Sequence, residues 1–310
     1  MLLAIEHIRR MRGGAQSHLM RCSDGNYYVV KFQNNPQHRR VLVNEMLGTR
    51  MASRLGLPTA PVAVVQVQEE LIRLTPELCI ELPRSRTPCQ PGLQFASRYP
   101  GDPRQLALHD FLPDEKLREV GNLNDFAGML VFDKWTCNTN GRQTLFFEQH
   151  KQPAASSPGA AGPPGRDSAY GAPIYNGPIY NPSIRETAEY QTPKYEAPRY
   201  QTVMIDQGFC FNAGEWTFPD APLRGLYARN RVYQGVTGMN CFAPWLERLE
   251  RGITARVLSD AASEIPPEWY EDDYDAVLQL LEKLEKRKTR VPELIVSAKE
   301  TTRQPFPFWV

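Results

Sequence analysis

No two of the six cysteines form a CxxC pair, and Cys22, Cys79, Cys89, Cys137, Cys210 and Cys241 follow neither a zinc-ligand spacing nor a disulfide framework. The expectation is reduced thiols in a cytoplasmic protein. Cys137 lies inside a motif discussed below, but nothing near it in sequence supplies a base to make it a nucleophile. Charge of one sign is also missing. The 310 residues sum to a net charge of +1, so nothing favours binding a polyanion by bulk charge, and direct nucleic-acid contact is not expected. No apolar run approaches the length of a membrane helix. The opening MLLAIEHIRRMRGG is interrupted early by Glu6 and an arginine cluster and does not read as a signal peptide. What is present, 41% hydrophobic and 23% charged residues, suits a soluble globular chain. It is long enough for one large two-lobed domain or two ordinary ones.

Patterning divides the chain. SHLMRCSDGNYYVVKF carries two alternating runs around Ser23-Asp24-Gly25-Asn26 and predicts a hairpin. In PQHRRVLVNEMLGTRMASRLGL, residues Val43, Met46, Leu47, Met51 and Leu55 recur at helical spacing, with a stop at Gly56 and Pro58. APVAVVQV and GLQFASRY predict strands. After Gln105 the pattern turns mainly helical: LNDFAGMLVFDKW predicts an apolar helix, followed by strands at QTLFFEQ and TVMIDQ. Helices are then expected in APWLERLERGI, in ARVLSDAASEI and across DDYDAVLQLLEKLEKRKTRVPELIVSAKE. On the last, Glu282 and Lys286 make a solvated face rather than a nucleic-acid site. QPFPFWV closes the sequence as an apolar segment that packs on its own domain or on a partner.

Residues from about 151 to 201 differ from everything around them. A Pro/Ala/Gly/Ser-rich stretch is followed by tyrosines beside prolines, with Tyr170, Tyr175, Tyr180, Tyr190, Tyr195 and Tyr200 at intervals of five or ten. Too few large apolar residues are present to pack a core, so the segment reads as a long insertion. It serves as a surface loop, a docking strand or a set of modification sites.

Four motifs bear on chemistry. Gly13 and Gly14 lie between a strand and the first hairpin, where glycine lets backbone N–H groups approach phosphate oxygens; adjacent glycines also mark ordinary turns. Lys31 closes an apolar strand, and Glu45 follows on the predicted helix. That order suits an ion pair holding the phosphates of a nucleotide, although strand-end lysines and helical glutamates are commonly just solvated. Asp133 and Asn138, in DKWTCNTNGRQ, have the D-x-x-x-x-N spacing of a base and a metal-binding amide in phosphoryl transfer. They also fit a helix terminus followed by turns. Asp206, before Gln207-Gly208 at a strand end, can offer a carboxylate to Mg²⁺ or simply form a turn. None of these decides alone. Their order along the chain, glycine loop, Lys31, Glu45, Asp133/Asn138 and Asp206, is that of a kinase.

GGAQSH, YYVVKF, NEMLGTRMASRLGLPTAPV, FDKWTCNTNGRQ, MIDQGFCF and IPPEWY together resemble the HipA-like kinase domain family, relatives of the bacterial HipA serine/threonine kinases. The resemblance runs from about Ile8 to Val291, leaving out the Pro/Tyr-rich segment. It implies an α+β, protein-kinase-like bilobal fold: a β-rich N-lobe at 1–98 and a mainly helical C-lobe at 99–310. It implies an ATP- and Mg²⁺-dependent kinase acting on a Ser/Thr hydroxyl, with a protein acceptor of unknown identity. An antitoxin-like partner is a further candidate. Gly14, Ala15, Gln16 and Ser17 correspond to the phosphate loop, next to Gly13, with Ser17 at an autophosphorylation position of some relatives. Lys31 corresponds to the ATP lysine, Glu45 to its partner and Asp206 to the metal aspartate.

One departure stands out. Family members commonly read Asn-x-Asp-Arg, whose Asp is the base; here Asn138-Thr139-Asn140-Gly141-Arg142 puts an amide where that acid belongs, and an amide accepts no proton. Either Asp133 and Asn138 supply base and metal ligand in a shifted frame, with Arg142 on phosphate, or the chain is a nucleotide-binding pseudokinase or scaffold. A small-molecule or lipid kinase is the third reading.

Overall fold

The first hairpin forms as its turn residues dictate. In the computed structural model, which describes residues 1–148 and 199–310, β2 (His18–Cys22) and β3 (Tyr27–Lys31) pair antiparallel, with Leu19 opposite Val29. Gly25 turns the chain at φ +80°, where only a residue without a Cβ is unstrained. β1 (Leu2–Arg10) pairs antiparallel with β2 on its other side. β4 (Val62–Val67) then runs parallel to β1 and antiparallel to β7 (Gly92–Arg98), and β7 pairs with β3. The order β1-β2-β3-β7-β4 therefore closes into a barrel with no free edge among these strands. Ala4, Met20, Tyr28, Val30, Val65 and Ala96 fill a core within it.

α1 (Val41–Arg54) leaves the barrel after β3. Its residues from Val41 to Thr49 are all buried, so this helix packs on every side. Gly56, at φ +78°, ends it as the sequence predicts, with the Leu57 N–H returning to the Ala52 carbonyl. A short α2 (Glu69–Leu74) and a two-stranded ribbon, β5 (Cys79–Leu82) with β6 (Ser85–Pro88), lie between β4 and β7.

Beyond β7 a second sheet orders β10 (Tyr200–Ile205), β9 (Gln143–Glu148) and β8 (Leu108–His109) side by side. Between β8 and β9 comes α3 (Asp125–Trp135), every residue of which from Phe126 onward is buried. β9 and β10 are antiparallel and in direct register from Glu148↔Tyr200 to Gln143↔Ile205. The proposed insertion falls outside the described residues except for its last three, and there the expectation is corrected. Tyr200 and Gln201 belong to β10, and Tyr200 is buried because it packs on the sheet beside His109.

From Gln207 to Phe242 the backbone is irregular, with one-turn 3₁₀ pieces only. The helices expected after it follow as α4 (Ala243–Gly252), α5 (Ala255–Ala262), α6 (Tyr274–Arg287) and α7 (Val291–Lys299). Asp273 caps α6 by accepting from the Ala276 N–H at 3.0 Å. The long helical run expected over residues 272–300 is two helices, because Pro292 has no N–H to continue α6 and instead sits in the first turn of α7. The terminal apolar segment folds back on its own chain: Phe306 is buried against Tyr233 and Phe242. The described chain is thus α+β. None of its helices is long and apolar enough to cross a membrane.

Candidate active site

Lys31, Glu45 and Asp206 meet at the end of β3, on α1 and just past β10. Lys31 Nζ contacts Glu45 Oε1 and lies 2.7 Å from Asp206 Oδ1. Burial works to lower the Lys31 pKa, but the two carboxylates outweigh it and hold the amine protonated well above its usual range. Burial acts to raise Asp206, and the Lys31 charge overrides it and keeps that carboxylate ionised. Glu45 is raised, chiefly by burial. Its oxygens also accept from the Gly208 N–H at 2.8 Å and the Gln207 N–H at 3.1 Å. A Cβ on Gly208 would stand 3.0 Å from Glu45 Oε1 and 2.8 Å from Val41 Cγ2, so the approach of this backbone to Glu45 depends on glycine. Asp206 itself sits at φ +62°, an unusual conformation for an aspartate, held by the contacts on both sides of it.

A cavity of about 700 Å³ opens next to this cluster. Val29 of β3 lines it, as do Ser97 and the Tyr99–Gly101 turn after β7, and Leu145 and Ile205 of the second sheet. Val29 is two residues before Lys31 and Ile205 is immediately before Asp206, so the strands that line the cavity also carry two members of the charged cluster. The sequence assigned none of these residues to a nucleotide-sized cavity; Gly25, Asn26 and Pro58, which also line it, were legible only as turn and stop residues. Its signal was the outward-facing half of the strand alternation, Val29 against Tyr28 and Val30, which was read only for burial.

The loop Met11–Ser17 joins β1 to β2. Gly13 stands at φ +112° and the Gln16 N–H returns to the Gly13 carbonyl at 3.2 Å. Asn35 Nδ2 donates to the Ala15 carbonyl, and the Gln37 amide lies 3.4 Å from where a Cβ of Gly14 would be, which brings the loop over the segment leading into α1. The Gln16 side chain points elsewhere. Its amide pairs with the backbone of Glu81, donating to the carbonyl at 2.8 Å and accepting from the N–H at 2.7 Å, so it clamps the loop to the β5–β6 ribbon. Ser17 is buried at the start of the barrel.

The stretch DKWTCNTNGRQ is arranged differently from the shifted-frame reading. Asp133 and Arg142 side chains are 0% and 1% exposed and form a two-point ion pair, with Arg142 Nε 2.9 Å from Asp133 Oδ2 and Nη2 on Oδ1. Asn138 Nδ2 donates to Asp133 Oδ1 at 2.9 Å, and its Oδ1 accepts the Asn140 N–H at 3.1 Å. Gly225, at φ +76°, covers the Asp133 Cβ so closely that any side chain there would collide with it. Asp133 therefore faces the interior with both oxygens engaged, and Asn138 has both ends of its amide engaged. Arg142 continues to the Ile205 carbonyl at 3.0 Å and to Gln207 Oε1 at 2.6 Å. It is a tie between α3 and the Asp206 strand rather than a free cation. Asn140 is half-buried, and its side chain is not drawn into this network. The loop is fixed to the segment after Asp206 by backbone bonds: Phe211 N–H to Thr136 O, Asn212 N–H to Cys137 O and Thr139 N–H to Phe209 O. Burial raises the Cys137 thiol, in keeping with an inert residue.

A family model described as HipA-like kinase matches residues 4–150. Over that stretch, just under half of the chain, the sequence is similar to the HipA-like kinases. The matched stretch holds the Met11–Ser17 loop, Lys31, Glu45 and the whole of DKWTCNTNGRQ, whereas Asp206 and everything toward Val291 lie beyond the match. No curated protein matches the chain. Among solved structures, a Golgi casein kinase with Mn/ADP bound is similar at 10% identity and a TM-score of 0.45, over 96% of this chain and 74% of that one. The Helicobacter pylori proinflammatory kinase CtkA is similar at 13% identity and a TM-score of 0.46, over 93% and 95%.

Proposed function

We propose that this chain is an ATP- and Mg²⁺-dependent kinase of Ser/Thr hydroxyls, built as two lobes at 1–98 and 99–310, with the nucleotide between them. The observation that carries this reading is the Lys31–Glu45–Asp206 cluster at the end of the apolar cavity. The cavity has the size and lining for a purine, with the Tyr99–Gly101 turn, Val29, Leu145 and Ile205 among the residues around it. Lys31 would hold the phosphates. The Gly13–Gly14 loop would approach them with backbone N–H groups.

The donor set fits Mg²⁺ held largely by phosphate and water. Among the described residues no group of three or more His, Cys, Asp and Glu is arranged to hold a metal alone. Magnesium needs only one or two protein carboxylates when phosphates supply the rest, and Asp206 is such a ligand. When bound, the metal neutralises charge on the transferring phosphoryl group. Asn138 is spoken for by Asp133 and Asn140, so the half-buried Asn140 amide is the better placed second ligand or acceptor contact.

Phosphoryl transfer depends mostly on positioning and electrostatic stabilisation rather than on proton abstraction. A loop without a free carboxylate therefore slows the reaction, by about 10²–10⁴-fold, without removing it. The test is transfer of labelled γ-phosphate by the purified chain, alone and with cell extract, with mass spectrometry to assign the acceptor as protein, lipid or small molecule. Loss of transfer in Lys31→Ala and Asp206→Ala is expected; normal turnover in both would overturn the site.

A second reading has its own support. Asp133 is locked in the interior and Asn140 stands at the family's acid position, which suits a nucleotide-binding scaffold. For that reading Mg-ATP raises the melting temperature while no labelled product forms with any divalent metal.

A further inference from the structure

Asn44 precedes Glu45 on α1 and is fully buried, yet the cluster described above makes no use of it. Its Nδ2 lies 2.9 Å from the Gly208 carbonyl, 2.9 Å from that of Cys210 and 2.8 Å from that of Ala213. Its Oδ1 accepts from Trp216 Nε1 at 2.9 Å. An amide nitrogen carries two hydrogens, so three carbonyls share them and the backbone from 208 to 213 is gathered around one atom. That backbone needs external support. Phe211, Asn212 and Ala213 stand at φ 59°, 59° and 56°, three consecutive non-glycine residues in the left-handed region.

Gly208 is where this segment meets the charged cluster. Its N–H is held by Glu45 and its carbonyl by Asn44, with His38 Nε2 also 2.8 Å from that oxygen. Two adjacent side chains of one helix thus grip the two peptide groups flanking a single residue, two positions beyond Asp206. We propose that Asn44 is a positioning residue. By fixing the segment Gly208–Trp216 on α1, it sets the Lys31–Glu45–Asp206 geometry that binds the metal–nucleotide complex. This rests on the nucleotide-binding reading above. Neither alanine nor aspartate fills the role. Alanine leaves three carbonyls and the indole unpaired, and aspartate turns an oxygen toward three oxygens.

The experiment compares wild type with Asn44→Ala. ADP dissociation constants are measured by calorimetry with and without Mg²⁺, and amide hydrogen exchange is followed across 207–216 in the nucleotide-free protein. The tightening of ADP binding by Mg²⁺ is expected to fall about 10-fold or more, because it depends on Asp206. Metal-free affinity, to which the apolar cavity contributes independently of Asp206, should fall by less than the metal-dependent tightening does. The amides of Gln207 and Gly208, bonded to Glu45, should exchange faster. A lowered melting temperature with metal-dependent tightening and those two amides unchanged would make Asn44 a packing residue and overturn the proposal. If the wild-type chain binds no ADP under either condition, the functional reading fails. Asn44 is then judged by exchange: acceleration at Gln207 and Gly208 supports its positioning role, and none rejects it. Should Asn44→Ala not fold, Trp216→Phe removes the donor to Oδ1 while keeping an aromatic ring under Arg40. The same two effects are then expected at roughly 3-fold, and their absence overturns the proposal.

Discussion

Lys31 and Asp206 are 175 positions apart in the sequence and 2.7 Å apart in the structure. Only the closing of the barrel against the second sheet brings them together, and the amine is largely withdrawn from solvent. In Lys31→Met, Glu45 and Asp206 are left facing each other without a cation. Labelled-phosphate transfer should drop by roughly 10²-fold or more, with weaker Mg-ATP binding by calorimetry. The melting temperature reports separately whether the fold persists.

Asn140→Asp places a carboxylate at a loop position that is partly exposed and whose side chain is free of the Asp133 network. Transfer should rise by up to about 10²-fold, the lower part of the range for a general base, at an unchanged ADP dissociation constant. An unaltered or lower rate would show that the loop does not present residue 140 to the acceptor.

Asp133→Ala leaves Arg142 charged, buried and unpaired, at a cost of about 3–5 kcal/mol in stability. Removing both partners, in Asp133→Ala with Arg142→Met, should cost less than the sum of the two single changes. Urea unfolding of the three variants measures this. If Asp133 were instead the base, Asp133→Asn would abolish transfer and leave the unfolding midpoint where it was.

His18 is fully buried beside His7 Nε2, 3.1 Å from its Nδ1, and near Cys89 Sγ. Burial, then His7 and Arg10, lower its pKa from 6.5 to about 4. The folded pKa lies below the unfolded one, so between these values the unfolded chain binds more protons. The stabilising contribution is complete above about pH 6.5, is lost progressively as pH falls toward 4, and changes no further below that. The amount is on the order of 3 kcal/mol. Urea midpoints at pH 7 and pH 5 should differ in wild type and differ less in His18→Asn.

Much of the fold was legible because its signals are local. The Ser23–Asn26 turn, the Gly56 stop and the alternation of β4, β7, β9 and β10 are each set by a few neighbouring residues. The order of Lys31, Glu45 and Asp206 was legible too, as each sits where a strand or helix delivers it. The orientation of Asp133 was not. α3 is buried from Phe126 to Trp135, so its sequence has no polar face from which to infer which way the aspartate points. D-x-x-x-x-N spacing then fits an internal hydrogen bond as well as a metal ligand, and the structure has the former. The β5–β6 ribbon was missed for the opposite reason: β6 is exposed throughout and shows no alternation to read. The role of Gln16 followed it, since the clamp's partner is the backbone of that unrecognised ribbon.

The register of β9 on β10 has a topological consequence. Glu148 is paired directly with Tyr200, and paired residues of antiparallel strands have Cα atoms about 5 Å apart. The chain therefore departs from the sheet and rejoins it at one place, as a hairpin does, and everything between is a detour that the sheet does not need in order to close. Joining the strands by a two-residue Asn-Gly turn should keep the Lys31–Asp206 contact and leave ADP affinity unchanged within about 2-fold. A large loss measured by calorimetry would mean that the detour itself contributes to the nucleotide site.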